Sequence, residues 1–506
     1  MAASVPIRCV NLPHPSVRWA GSRRGIRPTS TEADTRPKRG ATRQPGLRAQ
    51  PPSTRLPLRV DALEPSPPTL RAFFRTRLAP LALLCTAMLG VGFALRVHAF
   101  GFPDTFLFDE HHFVENARNY LAGKKDWNDH PPFGKLLIAA SISLFGDDPV
   151  GWRAPALLFG SVSVIAGGLA AARLFALPVA GLLAAALLAA DGFAIAYSRA
   201  GLLDGYLAAL GVLALLVASH RPSPWTAVVG GGVAGLALAI KFSGVAVLVP
   251  LVLAPLLAGY PKRRTGALGA LTVVVALGSY TALYALGLSI AGQPASVANV
   301  FAETRRLFEH HAVLTEMKNP ATSGWVTWAV PLRPLWLGYH EGLGSVRALT
   351  SLGNPLVWWS AVALFGSCIA SIAYHGVASA LGRGGAASDE RAAREPERPA
   401  ELLRPAPFVA AHGKAVLLLL SAALAFLAPW VLTHRDSYIY HFLPSYSALI
   451  VLLAGFLAFS LEARPRFVLG FVAAAWVVLA FYAPVWSFFE TTPEMVRLRM
   501  FLPSWR

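Results

Sequence analysis

The amino-acid sequence predicts an all-α polytopic membrane protein with about 11 transmembrane helices. Of its 506 residues, 55% are hydrophobic and 14% are charged, whereas soluble domains carry about 25% charged residues. The mean hydropathy is +0.50, and apolar runs recur along most of the chain. These observations exclude an ordinary soluble globular protein.

Eleven apolar runs are the candidate spans, and their Ala, Gly and Leu content suits close packing in lipid. They lie near residues 79–99, 155–172, 177–190, 205–219, 225–240, 243–259, 267–289, 355–378, 413–433, 442–460 and 467–484. A weaker run, 133–145, has 13 residues. At 1.5 Å per residue it covers about 20 Å, too little to span a bilayer comfortably. We therefore predict a re-entrant or interfacial helix there.

The distribution of Lys and Arg predicts which loops face the cytoplasm. With a cytoplasmic N-terminus and a non-spanning 133–145, most inter-helix basic clusters fall on one side. These clusters are Arg173, 220–221, 262–264, 379–411 and 464–466. The outer face then receives a first outer loop, 100–154, and a second, 290–354. Residues 191–204, Lys241, HRDSYIYH (434–441) and the C-terminal tail fall on the same face, which therefore holds most of the unusual polar residues.

The first 77 residues are predicted to be a disordered basic tail. They contain 15 Lys or Arg against 4 Asp or Glu and show no hydrophobic periodicity. Such a tail suits anionic lipid as a partner rather than nucleic acid. Residues 78–506 are predicted to form one membrane domain, within which the mixed-charge segment 379–411 is a cytoplasmic linker. The 3 cysteines cannot form a disulfide framework.

Ionisable groups are concentrated just outside the first apolar run, in FDEHHFVENARNYLAGKKDWNDHPPFGK, residues 108–135. Asp109 and Glu110 are candidates for a general base that accepts a proton from an incoming hydroxyl. The simpler interpretation is a solvated surface pair. Adjacent His111 and His112 lack metal-ligand spacing, so no metal site is predicted, although a divalent metal stays open.

The motif HPPFGK, residues 130–135, opens the short helix. Proline suits a first helical turn, and a helix N-terminus favours an anion such as phosphate. His130 and Lys135 are therefore candidate phosphate ligands. The alternative is a capped helix with a snorkelling lysine.

Several charged or polar residues lie close to apolar runs, where they are costly and indicate function by default. Arg153, Arg199, Asp204 and His441 are of this kind, and Lys241 shares the ambiguity. The structural alternative for Arg199 and Asp204 is an internal pair that locks two helices. For His441 and the neighbouring residues 434–435, the alternative is an ordinary interfacial anchor.

Six segments, in order, resemble the protein O-mannosyltransferase family of membrane glycosyltransferases. They are FDE (108–110), HPPFGK (130–135), SRAGLLD (198–204), LRPLW (332–336), LGNPLVWW (352–359) and YHFLPSY (440–446). The resemblance covers roughly residues 80–485. It implies a GT-C glycosyltransferase fold of eleven spans whose active site lies on the outer or lumenal face.

The resemblance also implies an activity: inverting transfer of mannose from polyprenyl or dolichyl phosphate to Ser or Thr hydroxyls of an acceptor protein. It makes Asp109 the catalytic base, with Glu110 beside it. His130, Lys135 and Arg153 then bind the donor phosphate, and Arg199, Asp204 and His441 support the site. The second outer loop is too short for the soluble domain that eukaryotic members insert there. We therefore expect a bacterial-type member in the inner membrane.

Two other functions are compatible with a polytopic chain. A related enzyme could move a lipid-phosphate sugar to a lipid or glycan acceptor, as aminoarabinose transferases do. HPPFGK and LGNPLVWW favour the mannosyl branch over it. A transporter predicts inverted repeats, which the sequence does not show. The sequence does not determine the oligomeric state.

Overall fold

The computed structural model describes residues 78–126, 129–313, 321–380, 405–433 and 436–506. The predicted tail 1–77, residues 381–404 of the predicted linker, and residues 434–435 lie outside the described residues. Within the described ranges the chain is helical apart from one β-hairpin. The predicted all-α membrane class is confirmed.

The first half of the described chain contains ten α-helices. They are α1 (Ala79–Val97), α2 (Glu110–Leu121), α3 (Phe133–Phe145), α4 (Pro149–Leu174), α5 (Pro178–Ala189), α6 (Gly192–Tyr197), α7 (Leu203–Ala218), α8 (Pro224–Ile240), α9 (Leu248–Leu257) and α10 (Lys262–Ile290). A short 3-10 helix, Phe242–Val247, joins α8 to α9. Many of these helices begin with proline in the first turn, where its missing N–H costs nothing.

The second half adds seven α-helices and two strands. They are α11 (Val297–Val313), α12 (Trp325–Trp328), β1 (Trp336–Glu341), β2 (Val346–Thr350), α13 (Pro355–Ala380), α14 (Pro405–Leu432), α15 (Leu443–Ser460), α16 (Pro465–Trp486) and α17 (Pro493–Arg499). Short 3-10 turns cover Ile439–Phe442 and Pro503–Trp505.

Among the described residues, seven helices are long and apolar enough to cross a membrane. They are Ala79–Val97, Pro149–Leu174, Lys262–Ile290, Pro355–Val377, Pro405–Leu432, Ile439–Ser460 and Pro465–Trp486. Five shorter apolar helices accompany them. One of the five is α3, which has the 13-residue bounds that the sequence predicted.

The helices pack closely where small residues face a neighbour. Helix α4 packs against α5 and α7, and α8 packs along α10. At Gly192, the first residue of α6, an added Cβ would lie 1.9 Å from Cε2 of Trp486. No larger side chain fits there without moving the indole.

The second outer loop contains an amphipathic helix and a β-hairpin. The helix is α11, and strands β1 and β2 form the antiparallel hairpin, which the sequence did not predict. Its turn contains Gly344, whose φ of +77° suits glycine. The hairpin also bridges to Thr491 through Val346. Its WLGYHE strand lacks the strict alternation that signals a strand in a sequence.

Asp191 joins three distant parts of the chain. Its carboxylate caps α6 by accepting from the backbone N–H groups of Phe193 and Ala194. The other oxygen accepts from the Asn354 N–H and the Tyr446 hydroxyl, both at 2.8 Å. The segments LGNPLVWW and YHFLPSY therefore meet at one buried carboxylate.

Candidate active site

The first outer loop is held by a buried ion pair between Glu110 and Arg153. Both side chains are fully buried, and the guanidinium Nε and Nη2 each lie 3.0 Å from a Glu110 oxygen. Arg153 also donates to the carbonyl oxygens of Pro103 and Thr105 at 3.0 and 2.9 Å. One side chain at the start of α4 thus fixes the path of the loop that leads to α2.

Each oxygen of the Glu110 carboxylate accepts two N–H hydrogen bonds from the protein. Besides the guanidinium, the carboxylate accepts from the N–H groups of Leu107 at 2.8 Å and Gly201 at 2.7 Å. Gly201 belongs to the SRAGLLD segment, so Glu110 links FDE to SRAGLLD. This carboxylate is a structural anchor in the observed conformation and is not open to a substrate.

Asp109 has the opposite environment. It occupies the N-cap position of α2, yet its side chain makes no capping hydrogen bond. Within the described part of the chain, its carboxylate accepts no hydrogen bond. The preceding residue, Phe108, has a φ of +44°, a strained value for a non-glycine residue. The Nδ1–H of His111 donates to the Phe108 carbonyl and supports this turn.

The charges around Asp109 set its proton affinity. Burial raises the pKa of the Asp109 carboxyl above its ordinary value, while the nearby positive charges of His112 and Lys241 lower it. Asp204 also acts on Asp109 and raises its pKa. A carboxyl in this balance is a stronger base than a solvated aspartate and is suited to general-base chemistry.

Lys241, the lysine among the charges that act on Asp109, belongs to a second largely buried ion pair. Its Nζ lies 3.0 Å from both carboxylate oxygens of Asp204. The ammonium also lies 5.3 Å from the ring centroid of Tyr440, a cation–π contact. The pair joins the ends of α7 and α8 beside Asp109.

Lys135 lies on the first turn of α3 and is fully buried. Its ammonium pairs with Asp126, lies 3.6 Å from an Asp129 oxygen and donates to the His130 carbonyl at 2.7 Å. The predicted contact between Lys135 and a donor phosphate would require these pairs to open. The same condition applies to Arg153, which is held by Glu110.

His130 lies in a row of rings between α2 and α11. Its ring stacks with Phe113 at 6.0 Å and with His311 at 5.8 Å between centroids. The Nε2–H of His311 donates to the Asp129 carbonyl at 2.9 Å. Burial holds the pKa of His130 well below its ordinary value, and Lys241 is among the charges that add to this effect. The ring is therefore neutral near pH 7.

Arg199 does not pair with Asp204, so the internal pair considered from the sequence is wrong. Its guanidinium instead donates to the carbonyl oxygens of Leu95 and Arg96 at 2.6 and 2.9 Å. These carbonyls end α1, where a cation is favoured by the helix dipole. Asp204 is paired with Lys241. Arg199 thus stabilises a helix end behind the loop.

His441 is packed inside the protein, whereas an ordinary interfacial anchor would be exposed. It is buried, and its ring stacks on Trp430 with centroids 3.5 Å apart. Its Nδ1 accepts from the Tyr438 N–H at 3.2 Å. His441 therefore shapes the turn that brings Tyr440 to Lys241. The neighbouring predicted anchors, 434–435, lie outside the described residues.

Sequence reasoning assigned no role to two residues that the structure places here. Lys241 was noted only for its charge beside an apolar run. Tyr197 carries a buried hydroxyl with no hydrogen-bond partner in the described chain. The charges of both Asp109 and Asp204 act on this hydroxyl. Only tertiary contacts reveal either of them, since no local motif marks them. The described residues contain no group of three or more side chains suited to hold a metal ion.

Three family models match successive parts of the chain. Residues 86–154 and 129–286 each match a dolichyl-phosphate-mannose–protein mannosyltransferase model. Residues 297–505 match the C-terminal four-span region of protein O-mannosyltransferase. Together the matches cover nearly all of the described chain.

Individual proteins agree with these matches. The chain is 28% identical over 369 residues to a polyprenol-phosphate-mannose–protein mannosyltransferase of Mycobacterium tuberculosis, covering 58% of this chain and 70% of that protein. A protein of the same description from Mycolicibacterium smegmatis is 27% identical over 52% of this chain and 66% of its own. The fold resembles the Saccharomyces cerevisiae Pmt1-Pmt2 complex bound to its sugar donor. That match has a TM-score of 0.67 and 14% identity, over 86% of this chain and 94% of that one.

Proposed function

We propose that this chain, which belongs to the protein O-mannosyltransferase family, transfers mannose from a polyprenyl-phosphate donor to Ser or Thr hydroxyls of proteins. Family membership makes it an integral membrane glycosyltransferase. The acceptor hydroxyl, the roles of individual residues and the membrane face are our inferences. The geometry around Asp109 supports the role that we assign to that residue.

The contrast between two neighbouring carboxylates supports Asp109 as the base. Glu110 accepts four N–H hydrogen bonds and is fully buried. Asp109 accepts none in the described chain and remains partly exposed. An oxygen must be open to accept the proton of an incoming hydroxyl. We therefore assign the chemistry to Asp109 and the positioning of its loop to Glu110 and Arg153.

The proposed step is a single displacement at the anomeric carbon. Asp109 accepts the proton of the Ser or Thr hydroxyl while the hydroxyl oxygen bonds to the anomeric carbon. The bond from that carbon to the phosphate oxygen breaks, and the polyprenyl phosphate leaves with the electron pair. Attack from the face opposite the phosphate inverts a β-linked donor to an α-mannoside.

Protein cations would stabilise the departing phosphate. Lys241 is our first candidate, because its charge is among those that act on Asp109. His130, whose ring is neutral, would offer the phosphate a ring N–H hydrogen bond rather than a charge. Lys135 and Arg153 stay candidates for a state in which their ion pairs open.

We further propose that the site faces outward from a bacterial inner membrane. The mycobacterial relatives support the bacterial setting. The positive-inside pattern supports the orientation, because it places the loop of Asp109 away from the basic clusters. The alternative acceptors, lipid or glycan, are less favoured since all three family models describe protein mannosyltransferases.

The test is transfer of mannose by the purified full chain in proteoliposomes. The donor is polyprenyl-phosphate mannose and the acceptor is a Ser/Thr-rich peptide, with the same peptide carrying alanines as the blank. Product is measured by mass spectrometry. Asp109→Asn should lower the rate at least about 100-fold, the scale of a lost general base.

Glu115→Gln is the matched control, since Glu115 is an exposed carboxylate on the same helix. It should leave the rate unchanged. If folded Asp109→Asn retains a rate within a few-fold of the wild type, the base assignment is wrong. If the wild type modifies lipid or glycan but no peptide, the proposed acceptor is wrong.

A further inference from the structure

A cavity lined partly by basic residues lies at the opposite ends of the helices that carry the candidate active site. It has a volume of about 400 Å³, within the range of ordinary ligand pockets. Four separate segments line it: the end of α4, the turn after α7, the end of α9 with the turn that follows it, and residues 414–418 of α14. No residue of the candidate active site belongs to it.

Helix α4 fixes the distance between the two sites. Arg153 lies at its beginning and Arg173 at its last turn, twenty residues apart. At 1.5 Å per residue, they are separated by about 30 Å, the thickness of the hydrocarbon core. If Arg153 is near one membrane face, Arg173 and the cavity are at the headgroup level of the other.

The cavity has the charge of an anion site. Arg173, Arg221 and Lys414 line it, are exposed and form no ion pair with a described carboxylate. His220 adds an imidazole ring whose Nδ1–H donates a hydrogen bond to the Leu216 carbonyl. Among the described residues that line the cavity, none carries a carboxylate.

The remaining wall is mostly apolar, with Ser219 and Tyr260 as its polar members. Leu174, Leu257 and Leu418 come from α4, α9 and α14 and face the same space. A ligand with a phosphate at one end and a hydrocarbon chain at the other matches the charged wall and the leucine wall of this cavity.

We propose that this cavity binds the phosphate headgroup of an anionic membrane lipid, with one chain against the leucine wall. The height of the site in the membrane and its leucine wall favour a lipid over a free phosphate. The lipid would be a bound structural partner at the face opposite the transfer reaction. This inference does not depend on the proposed function.

The test measures lipid retention by the full chain in detergent, using native mass spectrometry. Phosphatidylglycerol is titrated against phosphatidylcholine, and inorganic phosphate is titrated separately. The pocket variant is Arg173→Gln with Arg221→Gln and Lys414→Gln. Since juxtamembrane cations attract anionic lipid, its phosphatidylglycerol affinity should fall at least about tenfold.

The matched control removes the same charge from the same ends of the helices but outside the cavity. It is Lys262→Gln with Arg263→Gln and Arg466→Gln, three exposed residues that do not line the pocket. This control should change the affinity less than about threefold.

Three results would overturn the inference. In the first, the pocket variant binds phosphatidylglycerol as well as the wild type. In the second, the control loses as much affinity as the pocket variant, so that general surface charge explains binding. In the third, inorganic phosphate binds but phosphatidylglycerol is not retained over phosphatidylcholine. A pocket variant that fails to fold is replaced by the three single substitutions, whose losses should each be smaller and in the same direction.

Discussion

Replacing Glu110 by glutamine should cost about 3–5 kcal/mol of unfolding free energy, the usual effect of breaking a buried ion pair. The cost follows from the donors around the carboxylate. One oxygen accepts from Arg153 Nε and the Gly201 N–H, and the other from Arg153 Nη2 and the Leu107 N–H. Either orientation of a glutamine amide would point its NH₂ group at two N–H donors. The guanidinium would also stay buried without a counter-charge.

Equilibrium unfolding in mixed micelles of a mild detergent and SDS, followed by tryptophan fluorescence, measures this cost. Two probes must give the same transition before a free energy is taken. The control is Arg118→Gln, which breaks the ion pair between Arg118 and Asp147. Its N–O distance of 2.9 Å is similar, but its two side chains are 41% and 44% exposed. That pair should contribute less than about 1 kcal/mol.

The double variant Glu110→Gln with Arg153→Gln measures the coupling between the two side chains. Since Arg153 no longer holds a buried charge in it, the double variant should lose less than the sum of the two single variants. A Glu110→Gln cost no larger than that of Arg118→Gln would refute the described burial of the pair. If the loss of unfolding free energy in the double variant equals the sum of the two single losses, the two side chains are not coupled.

The remaining predictions concern the base and the packing of α6. Lys241→Met should move the acidic limb of the transfer rate to higher pH and Asp204→Asn to lower pH. The charge of Lys241 lowers the pKa of Asp109 and the charge of Asp204 raises it, and the base must be deprotonated to act. A pH–rate profile that is the same in both variants would contradict this. Gly192→Ala should cost about 1–3 kcal/mol in the same unfolding assay, since its Cβ would lie 1.9 Å from an indole atom. Gly366→Ala, where nothing lies within 4 Å, should instead raise stability by up to about 1 kcal/mol; equal effects of the two changes would contradict the packing.

The helices could be predicted because apolar runs encode them directly. The run 133–145 is the clearest case, since its bounds are those of α3. Partners of charged residues could not be predicted in the same way. Asp204 is paired with Lys241, 37 residues away, although Arg199 is nearer in the sequence. Sequence spacing does not fix which side chains meet when helices of different loops pack together.

The roles of Asp109 and Glu110 illustrate the same limit within a single motif. Two adjacent carboxylates on a helix start have nearly the same local sequence, but successive helical residues point in directions about 100° apart. Glu110 points into the protein toward Arg153, and Asp109 remains at its edge. The motif predicts that a carboxylate acts here, and packing determines which one can.

The contacts of Asp191 have a consequence for how the protein is made. Its partner Tyr446 follows 255 residues later, and a ribosome adds about 5–20 residues per second. The carboxylate is therefore in the nascent chain for about 13–50 s before that hydroxyl is synthesised. A chain released before residue 354 would carry a buried acid with only its own helix cap to satisfy it. We expect such fragments to depend on an insertase or chaperone and to be degraded, so correct biogenesis is coupled to completion of the C-terminal spans.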